Sequence, residues 1–302
     1  MLDYTALVAV HAVIQEGSFE AAARFLGITP SAISQRVRGY EERLGALLII
    51  RGQPCMPTDI GRALCAHVEK VQLLEAEIAE LSGSKEALPV HLKIAVNADS
   101  LATWFPDAVA DFIKQEKVFL NLFVEDETVT ADKLRSGEAM AAITAQTAPI
   151  TGCRTIHLGK MVYIACATPS FIKSYFPEGF TKQAFTQAPC ICFEKHDGLQ
   201  SQWLQQNYAM PLPPKIHYIP STQGFLNFLL AGAGWGMQPF PLVKVDIEEG
   251  RLIELQPKGA VEVDLYWVVP RLKSDLFEKL THYLKVFWSN KENPTRDKLL
   301  KI

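Results

Sequence analysis

No stretch of this 302-residue sequence approaches the roughly 18 consecutive apolar residues that a membrane-crossing helix needs. Met1, Leu2, Asp3 and Tyr4 lack the basic start of a secretory signal, so a cytoplasmic protein is expected, with no membrane partner. The six cysteines, at 55, 65, 153, 166, 190 and 192, form no C-x-x-C and have no histidine at zinc spacing. That spacing indicates neither a disulfide framework nor a metal site; Cys190 and Cys192 alternate in an apolar strand and read as neighbours on one packed face rather than a redox pair. There is no H-E-x-x-H, no G-x-S-x-G and no phosphate loop ending in G-K-S/T, so no enzyme class is indicated and no cofactor is expected. The glycines of Ala231 to Gly236 end a helix and enter a strand, the reverse of the order a dinucleotide loop requires. A general basic excess is also missing: 30 Lys and Arg stand against 33 Asp and Glu, for a net charge of -3. Any nucleic-acid contact must therefore be local.

One such locality exists. Between Arg24 and Arg62 six arginines face only Glu41, Glu42 and Asp59. Ser18 precedes an alanine-rich helical run that must stop at Gly27, and Thr29-Pro30 restarts a helix reaching about Leu44. Ala22, Leu26, Ile33, Val37 and Leu44 form the inward side of this pair, leaving Ser31, Ser34, Gln35, Arg36 and Arg38 outward. Hydroxyls and Gln reach base edges, and Arg pairs with guanine or phosphate, so these five, with Ser18 and Thr29 at the helix starts, are candidate DNA contacts. Charge and pattern alone fit equally well an ordinary helical hairpin with solvated arginines. Before the pair, Leu2, Leu7, Val10, Val13 and Ile14 predict a supporting helix. After it, 47–51 reads as a strand and Gly52-Gln53-Pro54 as a turn, making a small wing with Arg51 as its phosphate contact.

From Thr58 to Leu81 the spacing predicts one helix about 36 Å long, carrying Leu64, Val68, Val71, Leu74, Ile78 and Leu81 as a seam. Such a seam either pairs with a second copy or lies on the chain's own core. A polar linker, 82–86, follows. Beyond it the fold class is α/β: strands at 90–97, 118–125 and 139–145 alternate with helices at 99–115 and 128–137. A second set has strands near 161–167, 190–194, 215–220 and 234–239, and the chain returns through a strand near 263–269 and a helix at 272–289. The expected domains are 1–58, the linker 59–88, and a two-lobed unit over 89–302, with lobe I at 89–160 and 268–302 and lobe II at 161–267. A cleft between two such lobes binds its ligand beyond the strand ends.

The first strand delivers Asn97, Asp99 and Ser100, then Trp104, to that cleft, where a helix start and the Ser100 hydroxyl suit a carboxylate. The second ends in Glu125-Asp126-Glu127. These acids either favour the next helix start through its dipole, or, with Asp99, neutralise a cationic ligand. A basic amino acid has the matching charges. Thr144, His196, Asp197 and Thr222 complete the candidate set by position, although each also fits a cap or turn.

The series GSF-x-AAA-x-x-L, TPSAISQRV, E-x-x-LG-x-x-L-x-x-R and P-T-x-x-G resembles, in order and spacing, the N-terminal domain of LysR-type transcriptional regulators. The AVNADSLATW and VEDET runs, L-QQN at 204–207 and the KSYFPEGFT region are similar to the ArgP/LysG branch, also known as inhibitors of chromosome initiation. The resemblance implies a winged helix-turn-helix, a linker helix that makes a homodimer, and a two-lobed effector domain akin to periplasmic binding proteins. It implies homotetramers at promoter DNA with an imperfect palindrome, response to lysine or arginine, control of genes such as amino-acid export, and engagement of RNA polymerase. One departure stands out: the wing carries Cys55-Met56 where the family usually has a basic residue. Two alternatives stay open, a LysR-type regulator of another small metabolite, and an amino-acid-binding module or enzyme with no DNA role.

Overall fold

The computed structural model describes residues 2–81, 90–124, 127–145, 148–257 and 259–290; the expected polar linker lies outside them. Three helices open the chain: α1 (Tyr4–Glu16), α2 (Phe19–Leu26) and α3 (Pro30–Leu44). Each starts on a side-chain cap. Asp3, Ser18 and Thr29 accept the backbone N–H of Ala6, Ala21 and Ala32 at 3.1, 3.1 and 3.2 Å. Between α2 and α3 the chain reverses at Gly27, whose φ of 65° is left-handed, a conformation glycine adopts without steric cost. Leu7, Val10, Val13, Ala22, Ile33 and Val37 fill the core. Two expected core positions do not join it. Leu44 is 44% exposed because α3 ends there and Tyr40 takes the inward place, and Leu2 is exposed because it precedes the cap of α1.

A two-stranded wing, β1 (Ile49–Ile50) against β2 (Met56–Pro57), follows α3. The linker helix α4 (Asp59–Leu81) starts where the Thr58 hydroxyl accepts the N–H of Gly61. Its apolar stripe is shared out within the chain. Val68 joins the N-terminal core, Leu73, which the seam pattern passes over, joins the core of the C-terminal unit, and Ile78 is 66% exposed.

The C-terminal unit is built on one nine-stranded sheet, in order β4-β3-β5-β11-β6-β9-β7-β8 with β10 beside β6. Lobe I holds the parallel strands β3 (His91–Val96), β4 (Phe119–Val124) and β5 (Ala141–Thr144). Helices α5 (Ala98–Ala102), α6 (Phe105–Glu116) and α7 (Glu127–Ser136) connect them. Lobe II holds β7 (Cys190–Cys192), β8 (Ile216–Tyr218) and β9 (Trp235–Pro239), with helices α8 (Pro169–Tyr175), α9 (Lys182–Gln187), α10 (Leu199–Tyr208), α11 (Thr222–Leu230) and α12 (Phe240–Glu248). Short β10 (Ile253–Glu254) pairs with β6. Two long antiparallel strands, β6 (Cys153–Ala167) and β11 (Val261–Pro270), run through both lobes, and their register shifts between Leu265 and Tyr266, where one lobe gives way to the other. Helix α13 (Asp275–Asn290) then packs on lobe I.

Two departures from the sequence pattern have local causes. The helix expected over 99–115 is broken into α5 and α6, because Pro106 is tolerated only at a helix start and Thr103 turns its hydroxyl onto the carbonyl of Asp99 at 2.6 Å. The strand expected at 161–167 starts eight residues earlier, at Cys153, where His157 and Lys160 disguise it; there they pair across to Asp264 and Glu262 on β11. No described helix is long and apolar enough to cross a membrane.

Candidate functional site

Two surfaces gather the predicted residues. On the first, α3 presents Ser31, Gln35, Arg36 and Arg38 to solvent, with Ser34 half-buried. Arg38 donates to Glu42 one turn on, at 2.8 Å, whereas Arg36 makes no ion pair among the described residues. The Ser18 and Thr29 hydroxyl oxygens serve as caps, and Thr29 also pairs with Ser31 at 3.0 Å. Arg51 leaves the wing and lies over the Phe19 ring at 5.3 Å, which orients its guanidinium beside the start of α2. Cys55 is buried, its N–H bonded to the carbonyl of Gly17 at 2.7 Å, so it is Met56 that the wing exposes in place of a cation. Glu41 has a task that composition did not reveal. One of its oxygens accepts the N–H groups of both Leu48 and Ile49, at 2.7 and 3.2 Å, and so ties the wing to α3.

The second surface is a cleft of about 490 Å³ between the lobes, within the range of small-molecule sites. Lobe I supplies Asn97 and Asp99, where β3 passes into α5; lobe II supplies Glu194, His196, Asp197 and Thr222. Asp99 is its centre. One carboxylate oxygen accepts from the Tyr163 hydroxyl at 2.8 Å and the other from the Thr222 hydroxyl at 3.0 Å, so the residue bridges the lobes. Burial pushes the Asp99 carboxyl above the ordinary carboxylate range, and the nearby Asp197 charge adds to this, against the two hydroxyl donors. Asp197 in turn accepts the N–H groups of Phe193 and Leu199, both at 3.0 Å, which folds the loop after β7 around the cleft. The lining therefore includes three carboxylates, Asp99, Glu194 and Asp197, with no lysine or arginine among its described residues.

Three predicted residues stand elsewhere. The Ser100 N–H is taken by the Asn97 side chain and its buried hydroxyl accepts from the Trp104 indole, both at 3.0 Å. Trp104 itself packs against Phe105, Phe287 and Trp288 in the core of lobe I. Thr144 is buried at the end of β5, and its neighbour Ala145 forms the cleft wall. Glu125 and Asp126 lie outside the described residues, next to cleft-lining Val124. Conversely, Tyr163, Glu194, Gln202 and Gln238 line the cleft without having been picked out. All six cysteines are free; Cys190 and Cys192 are buried together in β7, where burial first and the neighbouring thiol second push the Cys190 thiol well above its usual range. Neither is poised for redox chemistry.

Comparison with known proteins covers both surfaces. Residues 4–62 match the model of the bacterial regulatory helix-turn-helix proteins of the lysR family, and residues 87–286 match that of the LysR substrate binding domain. The chain is 41% identical over 286 residues to the HTH-type transcriptional regulator ArgP of Pseudomonas fluorescens, covering 94% of this chain and 96% of that one. The crystal structure of ArgP from Mycobacterium tuberculosis superposes with a TM-score of 0.82 at 35% identity, covering 96% of this chain and 98% of that one. Full-length LysG from Corynebacterium glutamicum with bound effector Arg gives a TM-score of 0.72 at 33% identity, over 96% and 99% of the two chains.

Proposed function

The chain belongs to the LysR family of bacterial transcriptional regulators, DNA-binding proteins rather than enzymes, and from that premise we propose that it senses a basic amino acid, lysine or arginine. The observation that carries this reading is the make-up of the cleft: the carboxyl groups of Asp99, Glu194 and Asp197 around it, and no lysine or arginine among its described residues. A ligand bearing an ammonium or guanidinium group neutralises such a site, whereas a purely anionic metabolite meets only repulsion. The amide of Gln202 and the backbone are left for the carboxylate end of the ligand. The arginine-bound LysG structure supports the same ligand class.

In this reading α3 enters the major groove, Arg36 and Gln35 reach base edges, and Ser18, Thr29 and Arg51 hold phosphates. Two copies pair through the part of the α4 stripe that the chain leaves exposed, around Ile78, and so place two reading helices on an imperfect palindrome. Pairs of such dimers form the tetramer that acts on promoters in the cytoplasm, at genes such as amino-acid export, in contact with RNA polymerase. Calorimetry on the full chain tests the ligand class: lysine or arginine binds and leucine does not. Equal affinity for leucine would assign the cleft to another metabolite.

A further inference from the structure

Among the described residues, polar side chains fasten the linker helix to lobe I at three places. Near its start Arg62 donates to Glu138 at 2.7 Å, and the other Glu138 oxygen accepts from Lys133 at 3.1 Å. In its middle, Glu69 accepts from Lys93 of β3 at 2.5 Å. Near its end, Glu77 accepts the Ser274 hydroxyl at 2.6 Å and the Leu276 N–H at 3.2 Å, at the start of α13. The approach is close. At Gly137, with φ +75°, a β-carbon would fall 2.3 Å from that of Ala66, so any side chain there would force the helix off the lobe.

Of these three anchors only Glu69 also grips the DNA-binding domain. The oxygen that accepts from Lys93 lies 3.1 Å from His11 Nε2 and 3.4 Å from Gln15 Nε2, both on α1. Glu69 is 8% exposed, so these contacts are made with little competition from water. Burial alone would push its carboxyl up, but His11 and Lys93 together hold it below the ordinary range, so it stays ionised. On the effector side, Lys93 belongs to β3, locked between β4 and β5, whose far end about 10 Å away leads to Asp99 at the cleft. On the DNA side, α1 shares its core residues Val10 and Val13 with Ile33 and Val37 of α3.

We propose that Glu69 is the joint that sets the orientation of the reading helices against the effector domain, passing a shift of β3 to α1 through the Lys93–Glu69–His11 contacts. It is a positioning residue, touching neither DNA nor effector. A buried carboxylate deprived of its cation must find another or move, so displacement of Lys93 is felt at His11 rather than absorbed along α4. A path of contacts becomes coupling only when the coupling is measured.

The test uses full-length protein with Lys93→Met, Glu69→Gln and the double variant, which removes both charges together and so keeps the measurement possible if a single variant folds poorly. Without any ligand, hydrogen exchange over residues 4–44 should rise at least a few-fold in Lys93→Met, although the substitution lies in another domain. With L-arginine as probe, the ratio of promoter-fragment affinities without and with it should move toward 1 in Glu69→Gln and the double variant, while arginine affinity itself stays within about twofold of wild type. This second arm rests on the basic amino-acid reading given above. If wild type ignores both arginine and lysine, that reading fails and the exchange arm alone decides. Unchanged exchange at 4–44 in Lys93→Met, or a wild-type affinity ratio in the double variant, overturns the proposal.

Discussion

Asp99 carries opposite demands. It sits between two hydroxyl donors with its carboxyl pushed up by burial, and a ligand cation needs it ionised. Arginine binding is then linked to proton release, so affinity should fall as pH is lowered through the raised Asp99 pKa, and calorimetry across pH measures this directly. Asp99→Asn should lose about 10- to 100-fold in arginine affinity, matching the roughly 1.5 to 3 kcal/mol of a charge-assisted contact. Stability should move the other way. A folded carboxyl pKa above the unfolded value stabilises the protonated form at low pH and loses that contribution as pH rises through it, so at neutral pH the uncharged Asn variant should melt no lower than wild type. A lower melting temperature would mean that Asp99 is held for structure instead. The same residue shows what single-chain reading catches: Asn97 and Asp99 were legible because a strand end feeding a capped helix is a local signal. Tyr163 and Gln238 were not, since only the pairing of β6 with β9 brings them to the cleft. Trp104 was misplaced because its true neighbours, Phe287 and Trp288, lie at the far end of the chain.

The reading helix and the linker helix differ in how far their patterns reach. The bounds of α3 were written in adjacent residues, the Thr29 cap, the Pro30 start and the Gly45 stop, and its outward residues follow from periodicity. Arg36→Ala should weaken binding to a promoter fragment by about 1 to 3 kcal/mol and relax base preference where Arg36 reads, whereas loss of a phosphate contact lowers the salt slope uniformly. Wild-type affinity across operator variants would remove Arg36 from the base-reading set. In α4 the period announced an apolar stripe without saying what would cover it, and the chain covers part of it with its own two cores. The remainder is where the proposed partner helix sits. Ile78→Asp, which would bury a carboxylate against that partner, should convert the assembly to monomers in light scattering while leaving arginine affinity unchanged. An undiminished dimer would move the interface off this stretch.

At the scale of the whole molecule, a net charge of -3 is reconciled with DNA binding by local placement: six arginines stand against three acids between Arg24 and Arg62, while the cleft lining has three carboxyl groups and no lysine or arginine among its described residues. The two-lobed unit places Asp99 and Thr222 near the point where β6 and β11 cross from lobe to lobe, so a ligand that competes for the Asp99 carboxylate acts on a contact that joins the lobes. Fluorescence anisotropy of a labelled fragment of its own promoter, titrated with full-length protein at two salt concentrations and with arginine, lysine or leucine present, tests this most directly. Binding should weaken steeply with salt and change with arginine or lysine but not with leucine. No binding at low salt, or an equal response to leucine, would contradict it.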